Sequence, residues 1–171
     1  GTLLIFFTSL CGAADWPQWR HDANRSAATD EECPEQMTLQ WMHDLGRPDP
    51  AYDHQYRMCA DASYAAVAGH GKCFVASNRG DSVAAFALVS GQIVWRYVTE
   101  GPVRMAPLLV TGDVLFGSDE GYLYCVAAET GQRRWRVRGV PAGTPDSRML
   151  INGRLCSRWP IRGAPVAANG V

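Results

Sequence analysis

Residues 125–135, CVAAETGQRRW, and residues 85–95, AFALVSGQIVW, carry one pattern in two copies. Each copy has a Gly-Gln pair followed, after two residues, by Trp, so that Gly91 and Trp95 recur as Gly131 and Trp135. A period of 40 residues is typical of propellers and solenoids, in which each unit buries its apolar face only against its neighbour. The pattern therefore predicts a repeat architecture.

The repeat extends on both sides of this pattern. Upstream, Gly71 corresponds to Gly112 and Ser77 to Ser118 at a spacing of 41. Because the spacing is 40 between the two copies of the pattern itself, the first copy has one additional residue, which we place in the turn at 78–81. Downstream, residues 162–170 repeat the pattern of 104–112 after an insertion. We therefore predict blades at residues 62–98 and 103–138, an insertion at 139–161 and the start of the next blade at 162–171.

Each unit contains the signals of four short strands. Turn residues separate short apolar and alternating runs, and the turn at 129–131 needs a positive φ at Gly131. No stretch has helical periodicity over three turns, and Asn152-Gly153 predicts a type I′ hairpin. These features predict an all-β protein, a β-propeller of four-stranded antiparallel blades. Since a closed ring takes roughly 300 to 400 residues, we expect two to three blades of a longer protein here.

The two copies resemble the tryptophan docking motif of the pyrroloquinoline-quinone (PQQ) repeat, Ala-x-Asp-x-x-Thr-Gly-x-x-x-Trp. The second copy matches it at Thr130, Gly131 and Trp135, and the first at Ala85, Gly91 and Trp95. Both copies depart from it by having alanine in the aspartate position. The resemblance implies that each indole packs between neighbouring blades. The blade-docking residues implied are Trp95, Trp135, Gly91, Gly131 and Thr130.

The N-terminal region predicts export. Residues 3–7 are apolar and residues 8–14 end in small side chains, which is typical of a signal peptide, and we assign residues 1–14 to its remnant. The apolar run is too short to span a bilayer, so we predict no transmembrane span. Lipidation at Cys11 is an alternative, although Leu10 precedes it where a small residue is usual. Residues 15–61 form a lead-in segment and loop, which also resembles exported PQQ-like proteins, and the expected location is the periplasm or outside the cell.

The charge composition argues against nucleic acid and anionic membranes as partners. The chain has 16 Lys and Arg against 17 Asp and Glu, so no net charge favours nucleic acid or an anionic membrane. Cys33 and Cys59 are candidates for a disulfide, and Cys73 and Cys125 are expected to be small buried side chains. The stretch 44–61 is either a solvated loop or part of the funnel mouth.

Candidate chemical sites are few. No Gly-x-Ser-x-Gly or other nucleophile–base motif occurs, and we predict no catalytic residues. His54, Cys59, His70 and Cys73 have ligand-type side chains. Because Cys73 lies on a predicted strand and His70 in a turn, the four need not converge, and we predict no metal site. The insertion and the residue after it carry four arginines that either form an anion-binding loop or make salt bridges between blades: Arg148, Arg154, Arg158 and Arg162.

The resemblance implies two alternative functions. One is a non-catalytic, exported binding or scaffold propeller without a cofactor, similar in repeat type to the propeller lipoprotein of the outer-membrane assembly machinery. Its partners would be a protein or an extracellular polymer, besides the remaining blades of the ring. The other is a quinoprotein dehydrogenase that oxidises an alcohol or sugar with PQQ and Ca²⁺. Such enzymes usually carry adjacent cysteines, which this chain lacks, and take their catalytic carboxylate and Ca²⁺ ligands from later blades.

Overall fold

The computed structural model describes residues 14–32, 35–50, 52, 54–55 and 63–168. The predicted signal-peptide remnant, apart from Ala14, lies outside the described residues, and so do Cys11, Cys33 and Cys59. Ten strands follow one another in chain order, and the described residues contain no helix. No described segment is a helix long and apolar enough to cross a membrane.

Two antiparallel four-stranded sheets form the body of the described chain. The first contains β1 (Ala66–Gly69), β2 (Lys72–Ser77), β3 (Ser82–Ala87) and β4 (Ile93–Val98) in sequential order. The second contains β5 (Leu108–Val110), β6 (Asp113–Gly117), β7 (Tyr122–Ala127) and β8 (Arg133–Arg138) in the same order. We call them blade 1 and blade 2. They confirm the all-β prediction and the four-stranded antiparallel blades.

The two blades differ by one residue in the turn that joins their second and third strands. In blade 1, Ser77 pairs with Ser82 and the turn contains residues 78–81. In blade 2, the amide of Ser118 donates to the carbonyl of Tyr122 at 3.0 Å, so that only residues 119–121 lie between them. The additional residue is in the turn where the change of spacing predicts it.

The same β-bulge occurs in both blades. Ala85 pairs with Trp95 and Cys125 with Trp135, and the register shifts immediately after each pair. A bulge bends the strand and changes the direction of its side chains. The repeat of the irregularity shows that the blades share a backbone path as well as a sequence pattern.

The main core lies between the two blades. Phe74 and Val83 of blade 1 and Val114 and Phe116 of blade 2 have no exposed surface and belong to one cluster. Tyr97 of β4 packs against Phe116 with ring centroids 5.8 Å apart. Each sheet therefore buries one face against its neighbour, as the repeat logic requires.

The lead-in segment crosses the inner side of three successive units. The amide of Trp16 donates to the carbonyl of Ala68 at 2.7 Å, and the carbonyl of Pro17 accepts from the amide of Leu109 at 2.7 Å. The side-chain oxygen of Gln18 accepts from the amide of Ala167 at 3.3 Å. Ala68, Leu109 and Ala167 occupy equivalent places in the three copies. Three consecutive residues thus connect blade 1, blade 2 and the third unit.

The insertion forms a hairpin of β9 (Arg148–Ile151) and β10 (Arg154–Ser157). Asn152 and Gly153 connect its strands with φ of 49° and 76°. Two successive positive φ angles are the mark of a type I′ turn, which confirms the prediction from the Asn-Gly pair.

The burial of Cys125 in β7 can be tested by the pH dependence of the free energy of unfolding. Only 2% of this residue is exposed, and burial raises the pKa of its thiol to about 11. The unfolded chain loses this proton near pH ~8.5, so the stability from the neutral thiol is complete below that pH and decreases as the pH rises towards 11. We expect the free energy of unfolding to fall by about 2–3 kcal/mol over this range because of this group.

The matched variant is Cys125→Ala, because Ala85 fills the equivalent place in blade 1. Urea unfolding between pH 8 and 11 should show a shallower decrease for the variant than for the unchanged chain. Parallel pH profiles for the two proteins would contradict the burial of a neutral thiol.

Candidate functional site

A pocket of about 340 Å³ lies at the residues that precede β1 and β5 and at the equivalent residues of the third unit. β1 and β5 contact each other, which places the first strand of each blade on the inner side of the array. We call this space the axial pocket. Its lining residues come from the equivalent positions before blade 1, blade 2 and the third unit and from the lead-in segment, namely Ser63, Ala65, Arg104, Met105, Ala106, Arg162, Gly163, Ala164, Trp19 and Arg25.

The outer part of the axial pocket is formed by a tight loop of the lead-in segment. Asp22 accepts from the amide of Ser26 at 2.9 Å and from its hydroxyl at 2.6 Å. The hydrogen bonds from Ser26 lower the pKa of Asp22, so the carboxylate stays ionised and holds the loop closed. The guanidinium of Arg25 then lies 4.9 Å from the centre of the Trp19 ring, a cation–π contact at the pocket.

The inner part of the pocket contains two stacked arginines. Arg104 and Arg162 occupy the same position in successive repeats, and both contact the ring of Tyr52, whose centroid is 4.8 and 5.0 Å from the two guanidinium carbons. Tyr52 has no exposed surface. Arg162 also donates to the Tyr52 hydroxyl from Nη2 at 3.1 Å. The aromatic ring therefore fixes both cations in place.

A buried carboxylate completes this group. Asp119 is 1% exposed and accepts from the Tyr52 hydroxyl at 3.0 Å. Its carboxylate lies 3.9 Å from Nη1 of Arg104 and 3.8 Å from Nε of Arg162. Burial raises the pKa of Tyr52, so its hydroxyl keeps the proton that it donates.

Among the described residues around the axial pocket, arginines outnumber carboxylates. The Arg104 side chain is 3% exposed and pairs with Asp119, whereas the Arg162 side chain, which also faces Asp119, is 35% exposed. Arg25 adds a third positive charge from the loop that also carries Asp22. An arginine held by an aromatic ring with part of its surface exposed is suited to bind a carboxylate or another anion in a bidentate manner.

The two predicted docking tryptophans differ in their exposure. The indole of Trp95 donates from Nε1 to the Ala128 carbonyl at 2.9 Å and lies against Gly131, whose φ is 70°. Trp135 is 43% exposed, and no described unit covers it. Thr130 accepts from the amide of Gln132 at 3.3 Å within the turn. Gly91, with a φ of 67°, faces the indole of Trp41. The contribution of these residues to stability stays a prediction.

The four arginines of the insertion and the residue after it do not converge on one site. Arg148 donates to Glu100 at 2.8 Å, and Arg154 lies 3.0 Å from Asp81 and 3.3 Å from Asp49. Arg158 lines a separate open groove with Trp159. Only Arg162 reaches the axial pocket. Arg148 and Arg154 thus join the insertion hairpin to carboxylates before, within and after blade 1.

Sequence reasoning missed Tyr52 and Asp119. The sequence predicted that the stretch 44–61 is either a solvated loop or part of the funnel mouth and did not single out Tyr52, which is completely buried. Asp119 reads as a turn residue. The available signal was the alignment of Arg104 with Arg162, which places two arginines at the same end of neighbouring blades. Across the described part of the chain, no group of three His, Cys, Asp or Glu residues is arranged to hold a metal ion.

A family model described as PQQ_2, outer membrane protein assembly factor BamB, matches residues 18–155. A quinohemoprotein alcohol dehydrogenase from Comamonas testosteroni has 17% sequence identity and a TM-score of 0.56 over 82% of this chain and 22% of its own. BamB from Moraxella catarrhalis has 24% identity and a TM-score of 0.39 over 56% of this chain and 31% of its own. A quinohemoprotein alcohol dehydrogenase from Pseudomonas putida has 26% identity and a TM-score of 0.41 over 53% and 15%.

The chain thus spans between 15% and 31% of the length of these three proteins. No curated protein matches it. The similarity to the Comamonas protein supports the fold, the PQQ-type β-propeller.

Proposed function

Because the chain belongs to the PQQ_2 family, described as outer membrane protein assembly factor BamB, we propose that it is part of an exported, non-catalytic binding propeller in the periplasm or outside the cell. The axial pocket is its binding site, and the ligand is an acidic segment of a partner protein. The observation that carries this proposal is the group of three arginines at one pocket, of which Arg162 is held in place by Tyr52 and Asp119.

The pocket selects for a carboxylate on a short extended segment. Arg162 offers a fixed guanidinium fork, so little side-chain freedom is lost on binding. Trp19, which is 41% exposed, and Met105 supply apolar surface beside the charges. Because the chain as a whole is nearly neutral, with a formal net charge of −1, attraction of an acidic ligand comes from this local group.

The alternative function is oxidation of an alcohol or sugar with PQQ and Ca²⁺. PQQ is a planar tricarboxylate, so the positive charge and the Trp19 surface of the axial pocket also suit it. When bound, PQQ would supply the electron-accepting chemistry, with Arg25 and Arg162 as the residues to hold its carboxylates. The same pocket therefore has to be tested with both ligands.

The test is a titration of the full chain with fluorescently labelled hexaglutamate peptide, followed by anisotropy. We expect saturable binding that weakens with added salt, and no binding of hexaglutamine. Arg25→Gln and Arg162→Gln should each weaken binding tenfold or more, because each removes one charge from the pocket. Arg158→Gln is the matched control and should change the affinity less than twofold, since Arg158 lies outside the pocket.

Hexaglutamate binding that is absent, or equal in all four proteins, would exclude the axial pocket as an acidic-segment site. A parallel titration with PQQ and Ca²⁺ separates the alternatives. Stoichiometric PQQ binding together with alcohol-dependent dye reduction would replace the binding function with the dehydrogenase. Thermal unfolding of each variant checks that the fold is retained.

A further inference from the structure

A second pocket, of about 300 Å³, lies on the face of blade 1 that points away from blade 2. Its apolar wall contains Val75, Ala84 and Phe86, which alternate along β2 and β3 with the side chains that pack on blade 2. The ring of His43 covers Phe86 from the other side, with ring centroids 4.8 Å apart. We call this space the blade 1 pocket.

In blade 2, two tyrosines occupy the corresponding place. Ser82 and Ala84 of blade 1 correspond to Tyr122 and Tyr124 of blade 2 at the spacing of 40. Tyr124 is 2% exposed and stacks on Phe116 with ring centroids 5.4 Å apart. The blade 1 pocket therefore lies where the other blade of this chain contains aromatic rings, because small side chains have replaced both tyrosines.

The arginine that accompanies these rings is present in both blades. Arg136 pairs with Tyr124 across the strands, and Arg96 pairs with Ala84 in the same way. In blade 2, the Arg136 guanidinium lies 4.4 Å from the centre of the Tyr122 ring and donates from Nη1 to the Tyr124 hydroxyl at 3.5 Å. In blade 1, Arg96 lines the pocket without a ring at this place.

The charge at the polar end of the pocket is reversed between the blades. In blade 2, Glu120 accepts the hydrogen bond of the Tyr124 hydroxyl. Arg79 has this position in blade 1, at the spacing of 41 that relates Ser77 to Ser118, and it lines the pocket. A guanidinium donates hydrogen bonds and accepts none, so a ring that enters the blade 1 pocket has to carry an acceptor.

The pocket also contains one carboxylate. Asp44 contributes to the lining, and its Oδ1 accepts from the amide of Gly46 at 2.7 Å. Two arginines, Arg79 and Arg96, therefore accompany one carboxylate, and the hydroxyls of Ser77 and Ser82 add neutral donors. This lining favours an anionic group next to an apolar wall.

We propose that the blade 1 pocket binds a small aromatic carboxylic acid, whose ring takes the place of the absent tyrosine beside Phe86 and whose carboxylate binds Arg96 and Arg79. A cavity of about 150 Å³ holds a benzene molecule, so this pocket is large enough for one substituted ring. Guanidinium groups bind carboxylates through paired hydrogen bonds. The site shares no lining residue with the axial pocket and is independent of the proposed function.

The test is isothermal titration calorimetry of the full chain with 4-methylbenzoate. We expect binding of one equivalent, and affinity at least tenfold lower for 4-methylbenzamide, which has the same ring without the charge. Arg96→Gln should weaken 4-methylbenzoate binding tenfold or more. Arg133→Gln is the matched control, because Arg133 is an exposed arginine of β8 outside the pocket, and it should change the affinity less than twofold. Arg162→Gln in the axial pocket should also change it less than twofold.

Two further variants copy blade 2 into blade 1. Ala84→Tyr fills the pocket and should abolish binding. Arg79→Glu introduces the acceptor of blade 2, so the preference should change from 4-methylbenzoate to 4-methylphenol by tenfold or more. Circular dichroism checks that each variant is folded, and Arg96→Gln and Arg79→Glu decide the result if Ala84→Tyr is not.

Absence of 4-methylbenzoate binding, or full binding by folded Ala84→Tyr, would overturn the proposal. Loss of binding in Arg162→Gln but not in Arg96→Gln would assign the acid to the axial pocket and would also overturn it.

Discussion

Replacement of Trp95 by alanine is expected to lower the free energy of unfolding of the chain by about 3–5 kcal/mol. Trp95 is 8% exposed, and its ring lies 5.8 Å from that of Phe74. Its Nε1 donates to the Ala128 carbonyl of the next blade. Truncation therefore removes the contact between the blades and leaves a cavity, and Ala128 loses a hydrogen-bond donor. Urea unfolding followed by circular dichroism measures the loss.

Trp135→Ala is the matched control for this prediction. Trp135 has the equivalent place in blade 2 but is 43% exposed, because no described unit packs on it. We expect less than half of the loss seen for Trp95→Ala. Equal losses for the two variants, or a loss below about 1 kcal/mol for Trp95→Ala, would contradict a docking role for the buried indole.

Substitutions at two glycines distinguish the stability lost by displacing the Trp95 indole from the stability lost by backbone strain. Gly131 and Gly112 have φ of 70° and 82°, so alanine is strained at both. A Cβ atom at Gly131 would lie 2.6 Å from Trp95, whereas one at Gly112 would meet no atom within 4 Å. Gly131→Ala should therefore destabilise the chain clearly more than Gly112→Ala. Equal losses of stability for the two variants would mean that the strained backbone at positive φ, and not the contact with Trp95, causes the whole effect.

The second large effect is expected at the buried charges of the axial pocket. Asp119→Ala removes the carboxylate that faces Arg104 and Arg162 and leaves the Arg104 side chain, 3% exposed, without this counter-charge. Breaking a buried ion pair from one side costs about 3–5 kcal/mol. We expect a loss of this size in urea unfolding, together with faster hydrogen exchange around Tyr52, whose hydroxyl donates to Asp119.

Asp113→Ala is the control for Asp119→Ala. Asp113 pairs with Arg134 at 2.6 Å, but the Arg134 side chain is 58% exposed, so water replaces the lost partner. We expect little change in stability from this variant. A loss as large as that of Asp119→Ala would show that burial does not determine the energy of these pairs, and a small loss for both would exclude a structural role for the pocket carboxylate.

Much of the fold was predictable because the same turn and strand signals recur at equivalent positions of successive repeats. The spacing of Ser77 and Ser118 located the additional turn residue, and Asn152-Gly153 located the hairpin. The β-bulges opposite Trp95 and Trp135 were not predicted. A bulge depends on how two strands pair, and the alternation within either strand contains no mark of it.

The candidate site was predictable to a smaller extent. Arg162 was among the candidate residues, but as part of a loop with Arg148 and Arg154, which instead pair with carboxylates. Tyr52 lies in a stretch without regular alternation, so nothing near it in sequence indicates burial. The side chains around Tyr52 are those of Arg104, Asp119 and Arg162, which are separated from it by 52, 67 and 110 positions in the chain.

The sequence alone determined that the chain is built of four-stranded units, since turn glycines, strand alternation and a repeated tryptophan act over short distances and recur in register. The tertiary structure decided which side chains share a pocket and which of three tryptophans are covered by a described unit. These properties depend on the approach of separate units, where burial and charge pairing act between residues that are far apart in the chain. Trp41 shows the difference: its position in the chain places it in the lead-in segment, but its contact with Gly91 exists only once blade 1 is folded.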